Sequence, residues 1–193
     1  MLSFVWLAMP VGTWSRARDN MEFGDPQLRE DAGSELLGRP GLGRRDALKV
    51  HHDNVLMQFS LTILETARKM GVMAVLENPH MSRLWLVPQI RDLERQQHVS
   101  SCIVDHCQYG TCWRRRTKLL TVHCPLILHQ CSGQHGLCSR TLRPHQHLSG
   151  RCHAVTWSQI AEHYPRELCS EICRQVGSFR RSAESSKLER FFT

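Results

Sequence analysis

The chain has 193 residues, 41% of them hydrophobic and 22% charged, which fits a soluble globular chain with room for one domain and an appendage. No run approaches the ~20 apolar residues of a membrane span. The N-terminal apolar run, Leu2 to Met9, lacks the charged lead-in and small-residue cleavage site of a signal peptide, so an intracellular protein without a membrane partner is expected.

Leu2 to Met9 reads as a short buried strand, followed by the turn-forming stretch Pro10-Val11-Gly12-Thr13-Trp14-Ser15. Residues 16–50 hold glycines, prolines and dense charge without a sustained period, and are expected to be a long loop. Asp53 or Asn54 is expected to cap a helix running from Val55 to about Met70. Its face is read from Val55, Phe59, Thr62, Ile63, Thr66 and Met70, and Gly71 is its stop. Val72 to Leu76 is a fully apolar strand ended by Glu77-Asn78-Pro79. A helix from Val87 or Pro88 to about Gln97 follows, then strands over Ser100–Gln108 and Thr117–Cys124. From Pro125 to about His153 no period holds. Thr156 or Ser158 can cap a helix up to Tyr164, where Pro165 interrupts, and the tail from Arg180 is expected to be loosely ordered. Trp85 and Trp157 are expected in the core.

This order is α/β. The first two strands, joined by a crossover helix, should be parallel neighbours, and the last two should form an antiparallel pair. Ligands of such sheets bind at the carboxyl ends of the parallel strands. Pro10-Val11 and Glu77-Asn78-Pro79 stand at two such ends and are expected to face one crevice.

The stretches MPVGTWS, LENP and CQYGTCWRRRTKLLT, in that order over residues 2–123, resemble three successive motifs of the cytosine-5 DNA methyltransferases. The likeness is greatest to divergent, methylase-like reading frames associated with mobile elements in protist genomes. The resemblance implies a partial Rossmann-like methyltransferase sheet (C-terminal strands only) over residues 1–123, with an irregular Cys/His-rich basic extension at 124–153 and a C-terminal helix and tail at 154–193. It also implies S-adenosylmethionine as the family's cofactor and a nuclear setting.

In that family a thiolate adds to carbon six of a flipped-out cytosine, so that carbon five can take a methyl group. A carboxyl group at ring nitrogen three stabilises the adduct. By the resemblance, Glu77 matches the base-contacting glutamate and Asn78 its partner, while Pro79 stands where valine is usual. Pro10 and Ser15 match the first loop. Arg115 matches the first arginine of the third motif, with Trp113 in the glutamine position and Thr117 in that of the second arginine. Arg114, Arg116 and Lys118 keep the charge out of register and complete the expected substrate-binding set. Val11 occupies the nucleophile's position and has no nucleophilic atom; Cys107 and Cys112 are the thiols nearest a family motif. No Gly-rich cofactor loop follows a strand, since the glycines of Gly38 to Arg45 follow none. Cofactor binding is therefore not expected, and the chain reads as the C-terminal portion of a truncated pseudoenzyme.

Residues 101–153 hold seven Lys and Arg against one acid, Asp105, together with seven of the nine Cys and seven of the twelve His. Such a localised basic segment is the electrostatic footprint of a DNA or RNA partner. An odd number of cysteines without an export signal reads as reduced thiols, some of them metal ligands. Cys131, His135, Cys138 and Cys152 are the expected zinc ligands, with His145 and His147 as alternative returning ligands. Three functional readings follow: a catalytically inactive methyltransferase-like fragment associated with nucleic acid, which is preferred, a non-enzymatic nucleic-acid-binding or zinc-binding module, and an active methylase whose missing parts come from another chain.

Overall fold

A computed structural model describes residues 3–16, 19, 27–148, 151, 152 and 155–189, in full except for the side chains at 151, 152, 156–158 and 183–189. The architecture is mixed α/β. In chain order it runs β1 (Phe4–Ala8), α1 (Arg44–Met70), β2 (Met73–Pro79), α2 (Pro88–Glu94), β3 (Val99–Asp105) and β4 (Arg116–Val122). Two-residue strands β5 (Arg151–Cys152) and β6 (Val155–Thr156), a single turn α3 (Trp157–Ile160) and α4 (Arg166–Glu189) follow.

Strands β1 to β4 form an open sheet in the order β1-β2-β4-β3. β1 and β2 are parallel, with Phe4 opposite Met73 and Ala8 opposite Glu77, as a crossover through α1 requires. β3 and β4 are antiparallel. The His123 N–H donates to the His98 carbonyl and the His106 N–H to the Arg115 carbonyl, so residue numbers rise on one strand as they fall on the other. The chain divides into two compact units, residues 1–101 with 118–123, and residues 102–117 with 124–193.

The first unit has a core of Trp14, Leu61, Leu64, Leu76, Leu84, Trp85 and their neighbours. β2 is buried along six of its seven residues, in keeping with its unbroken apolar sequence. α1 differs from expectation in two ways. It starts at Arg44, not near Val55, because the Gly43 carbonyl accepts from the Asp46 and Ala47 N–H groups and residues 44–54 contain no helix breaker. Asp46 in the first turn and Arg68 and Lys69 in the last complement the helix dipole, and Gly71 closes the helix at φ 68°. Its core-facing side is Val50, Asp53, Met57, Leu61, Leu64 and Ala67. Val55, Phe59 and Met70, expected to face inward, are 52%, 61% and 72% exposed. Both faces carry apolar residues at helical spacing, so the period alone cannot choose between them.

In the second unit, residues 125–148 form no long regular element, as their sequence implies. The tail differs: α4 runs unbroken to Glu189 where a loosely ordered segment was expected. The helix expected up to Tyr164 ends at Ile160 instead, and Pro165 stands just before α4, its carbonyl accepting the Cys169 N–H, because proline is tolerated where a helix begins. Leu2, residues 17, 18 and 20–26 of the expected loop, the Trp157 side chain and residues 190–193 lie outside the described set.

Candidate metal centre

The loop after β1 is built around one buried charge network. Gly12, Thr13 and Trp14 form a single 3-10 turn. Thr13 donates its N–H and its hydroxyl to Asp53 Oδ2 at 2.7 and 2.6 Å. Gly12 has φ +41°, and a Cβ there would run into the Asp53 carboxylate. Arg29, fully buried, donates through Nε and Nη2 to the Thr13 hydroxyl at 2.9 and 2.7 Å and lies 3.6 Å over the Trp14 ring. Burial lowers the Arg29 pKa to about 10; Asp53 opposes that shift and Arg83 adds to it. Asp53, read from the sequence as a helix cap, is instead a mid-helix anchor for this loop.

The other residues carried by the resemblance sit near the same strand ends. Val11 is half-buried and Pro10 exposed, Ser15 is half-buried, and the Ser15 carbonyl accepts from Arg83. Glu77 and Asn78 are buried at the end of β2. The Asn78 amide donates to the Met9 carbonyl at 2.8 Å and ties that end to the end of β1. The expected juxtaposition of the two strand ends is thus present, without a thiol in the loop.

The second unit gathers four metal-ligand side chains. β3 ends at Asp105, and a 3-10 turn over His106–Tyr109 places Cys107 in the interior. The chain returns along residues 124–131 to buried Cys131. Gly133 and Gly136, both at positive φ, then turn it towards Cys138. Leu137 bridges to Pro144, the Cys138 N–H donates to the Arg143 carbonyl at 2.8 Å, and this small hairpin delivers His145. The ligand atoms of Cys107, Cys131, Cys138 and His145 all lie within 4.8 Å of one another, and the four residues could hold a metal ion. Cys131 Sγ is 3.6 Å from His145 Nε2. A tetrahedron with bonds of about 2.3 Å to sulfur and about 2.0–2.1 Å to nitrogen has a sulfur–nitrogen edge of about 3.6 Å.

N–H donors face all three sulfurs, while burial works against ionisation at Cys107 and Cys131. Gln108 Nε2 donates to Cys107 Sγ at 3.6 Å, to Cys138 Sγ at 3.7 Å and to Ser139 Oγ at 3.2 Å. The Ser139 N–H donates to Cys131 Sγ at 3.3 Å. Burial disfavours ionisation of Cys131, but the hydrogen bonds from Ser139, Gly133 and Cys107 outweigh it and bring the thiol down to about 6. Burial pushes Cys107 up to about 12, with the neighbouring thiols adding to the shift.

Behind the cluster stands Asp105, with no exposed surface. It accepts the Cys131 N–H at 2.7 Å and is paired with Arg116 at 2.7 Å and Arg114 at 3.2 Å. Both guanidiniums also donate to the Cys131 carbonyl. Burial works against the Asp105 carboxylate, yet these partners hold its pKa below the ordinary value.

Of the four zinc ligands expected from sequence, Cys131 and Cys138 lie in the cluster. His135 is exposed at φ 53°, outside it, and the Cys152 side chain lies outside the described residues. His145, one of the alternatives, completes the set, whereas exposed His147 does not. Cys107 was legible only as a thiol near a family motif, because a strand and a long irregular segment separate it from Cys131. The expected substrate-binding cations are engaged internally. Besides Arg114 and Arg116, Arg115 donates to the Ala161 carbonyl at 2.6 Å, and Lys118 lies 2.8 Å from Glu94.

Fold and cluster together define a mixed α/β protein with a Cys3His side-chain group capable of holding a metal. No protein-family model matches the chain, and no curated protein or solved structure is significantly similar to it.

Proposed function

We propose that the second unit binds one zinc ion as a structural metal, and that the chain acts as a non-enzymatic, zinc-organised binding module. The observation that carries this reading is the Cys107–Cys131–Cys138–His145 group, with all ligand atoms within 4.8 Å of one another. Three thiolates and an imidazole are a borderline-soft donor set suited to zinc. Four protein ligands fill a tetrahedron and leave no position for a substrate or an activated water, which separates a structural site from a catalytic one. Burial of the three cysteines and the N–H donors on their sulfurs also suit a structural site.

Metal analysis of the purified full chain, together with cobalt substitution, tests the reading. One equivalent of zinc is expected, with tetrahedral thiolate-to-cobalt absorption after exchange; Cys138→Ser should weaken retention of the metal. A chain that carries no zinc and takes up none when it is supplied would refute the proposal.

The tied ends of β1 and β2 support a second reading, that residues 1–123 are a methyltransferase-like domain without catalytic capacity. Thr13, which would flank the reacting atom in that reading, is committed to Asp53 and Arg29. No S-adenosylmethionine binding is expected by calorimetry, and no methyl transfer even from Val11→Cys. Methylation of DNA or RNA by the natural chain would overturn the inactive reading.

A further inference from the structure

No acidic residue occurs between Asp105 and Glu162. Most of the cations in that span serve internal acceptors: Arg114 and Arg116 hold Asp105, Arg115 holds the Ala161 carbonyl, and Lys118 holds Glu94. Arg140 and Arg143 are different. Both are exposed, and both lie on the turn of the hairpin that runs from Cys138 to His145. Arg143 has no acceptor for its guanidinium among the described residues. Among the described residues Arg140 meets Glu167 alone, at 3.3 Å, in a pair whose members are 41% and 60% exposed, the kind of contact that is readily given up.

Between the two arginines stands Leu142, 75% exposed and at φ 57°. Its N–H closes the turn onto the Cys138 carbonyl at 2.8 Å. Glycine or asparagine would take this left-handed position without strain, whereas a leucine there is disfavoured by its Cβ. The sequence therefore places a strained apolar side chain in water, flanked by two guanidiniums, on a loop whose two ends are metal-ligand residues. Strain of this sort persists where a surface is used.

We propose that this hairpin turn, Arg140 to Arg143, is a binding site for single-stranded nucleic acid. The inference rests on the metal reading, because zinc would fix the Cys138 and His145 ends of the loop. The guanidiniums take phosphate oxygens or stack on bases, and Leu142 lies against an exposed base face. A single strand suits the tip better than a duplex. The feature is one short turn carrying one apolar side chain, too small to fill a groove, and the bases of a single strand are already unstacked and open.

Fluorescence anisotropy of the zinc-loaded full chain with a labelled single-stranded 12-mer, as RNA and as DNA, tests the site. Affinity should fall with salt, with a slope of about 0.7 per phosphate neutralised. The double variant Arg140→Ala, Arg143→Ala should lose at least about tenfold and reduce that slope by about 1.4. Arg174→Gln, which removes one exposed charge on α4, should leave binding unchanged, whereas either Arg140→Ala or Arg143→Ala alone should weaken it. Leu142→Gly separates contact from folding: it should raise the melting temperature by relieving strain and still weaken binding several-fold. Equal affinity for a duplex of the same length, or binding unaffected by Leu142→Gly, would overturn the proposal in favour of general polyanion attraction. So would binding of unchanged strength after the metal is stripped. A chain that holds one zinc and binds no oligonucleotide would refute this site and leave the metal reading standing. A chain that holds no zinc would refute the metal reading first.

Discussion

Thr13 shows how one side chain can be fully committed. Its hydroxyl donates to Asp53 and accepts from two nitrogens of Arg29, in a buried setting where the guanidinium has no exposed surface and the carboxylate little. Removing one partner of a buried charged group costs more than the contact contributes, because the remaining partner stays desolvated. Arg29→Met should therefore destabilise the chain by about 3–5 kcal/mol and Thr13→Val by about 1–3 kcal/mol in urea unfolding. His106 presents the opposite case. It is fully buried, and neither ring nitrogen has a hydrogen-bond partner among the described residues. Burial first, and Arg115 second, lower its pKa to about 4 from an ordinary 6.5, with Asp105 opposing. The unfolded chain then binds the proton more readily than the folded one. Stability from this group is present above about 6.5 and is lost as pH falls towards about 4. His106→Leu should be neutral or stabilising at pH 7, and the variant's advantage should grow on acidification. Urea denaturation of both proteins at matched zinc content, from pH 7 to pH 5, measures the difference; an advantage that shrinks on acidification would contradict the assignment.

At the level of elements, the connection from β3 into β4 divides its charges between two acceptors. Asp105, Arg114 and Arg116 meet on the side of the metal cluster, while Arg115 reaches the Ala161 carbonyl instead. This is why a basic cluster that reads from sequence as a substrate clamp is a set of internal braces. Composition and spacing record charge; they do not record the buried acceptor, which is a single aspartate eleven residues from Arg116. Asp105→Asn retains the shape but gives up the charge that holds two guanidiniums, and whichever way it turns, its amide NH2 faces donors that now meet an acceptor. Zinc affinity should fall about 10–100-fold, the usual effect of losing an outer-shell partner, as measured by chelator competition. The helices teach a related lesson. Gly71 and Pro165 mark real boundaries because their conformational limits are local and visible in sequence. The inward face of α1 was not visible, since Val55 and Phe59 keep the same helical period as Met57 and Leu61, and packing against the sheet decides between them.

At the scale of the molecule, the parallel β1–β2 pair and the antiparallel β3–β4 pair followed from connection lengths alone, whereas the metal group did not. Cys107 joins Cys131, Cys138 and His145 only because the chain returns after β4, and no short spacing announces that return. The two units also differ in what holds them. The first has an extended apolar core of Trp, Leu, Met and Val side chains. Among the described residues of the second, one buried cluster consists of Cys107, Cys131 and Cys138, three of the four ligands, and in the irregular stretch 124–148 just Cys124 and Leu126 are buried beside them. Without a metal, three adjacent sulfurs contribute little apolar burial to set against the conformational entropy of residues 124–148. Chelation should therefore loosen this segment while the first unit stays folded. Hydrogen exchange with and without a zinc chelator measures the effect by segment. Amides over residues 131–145, including the Cys138 and Leu142 N–H groups that close the hairpin, should lose protection by orders of magnitude, whereas those of α1 and β2 should keep theirs. Equal loss across both units would mean that the metal supports the whole chain as one cooperative structure. Unchanged protection at Cys138 and Leu142 would mean that the hairpin stands by its hydrogen bonds alone, and the zinc would then have no structural task.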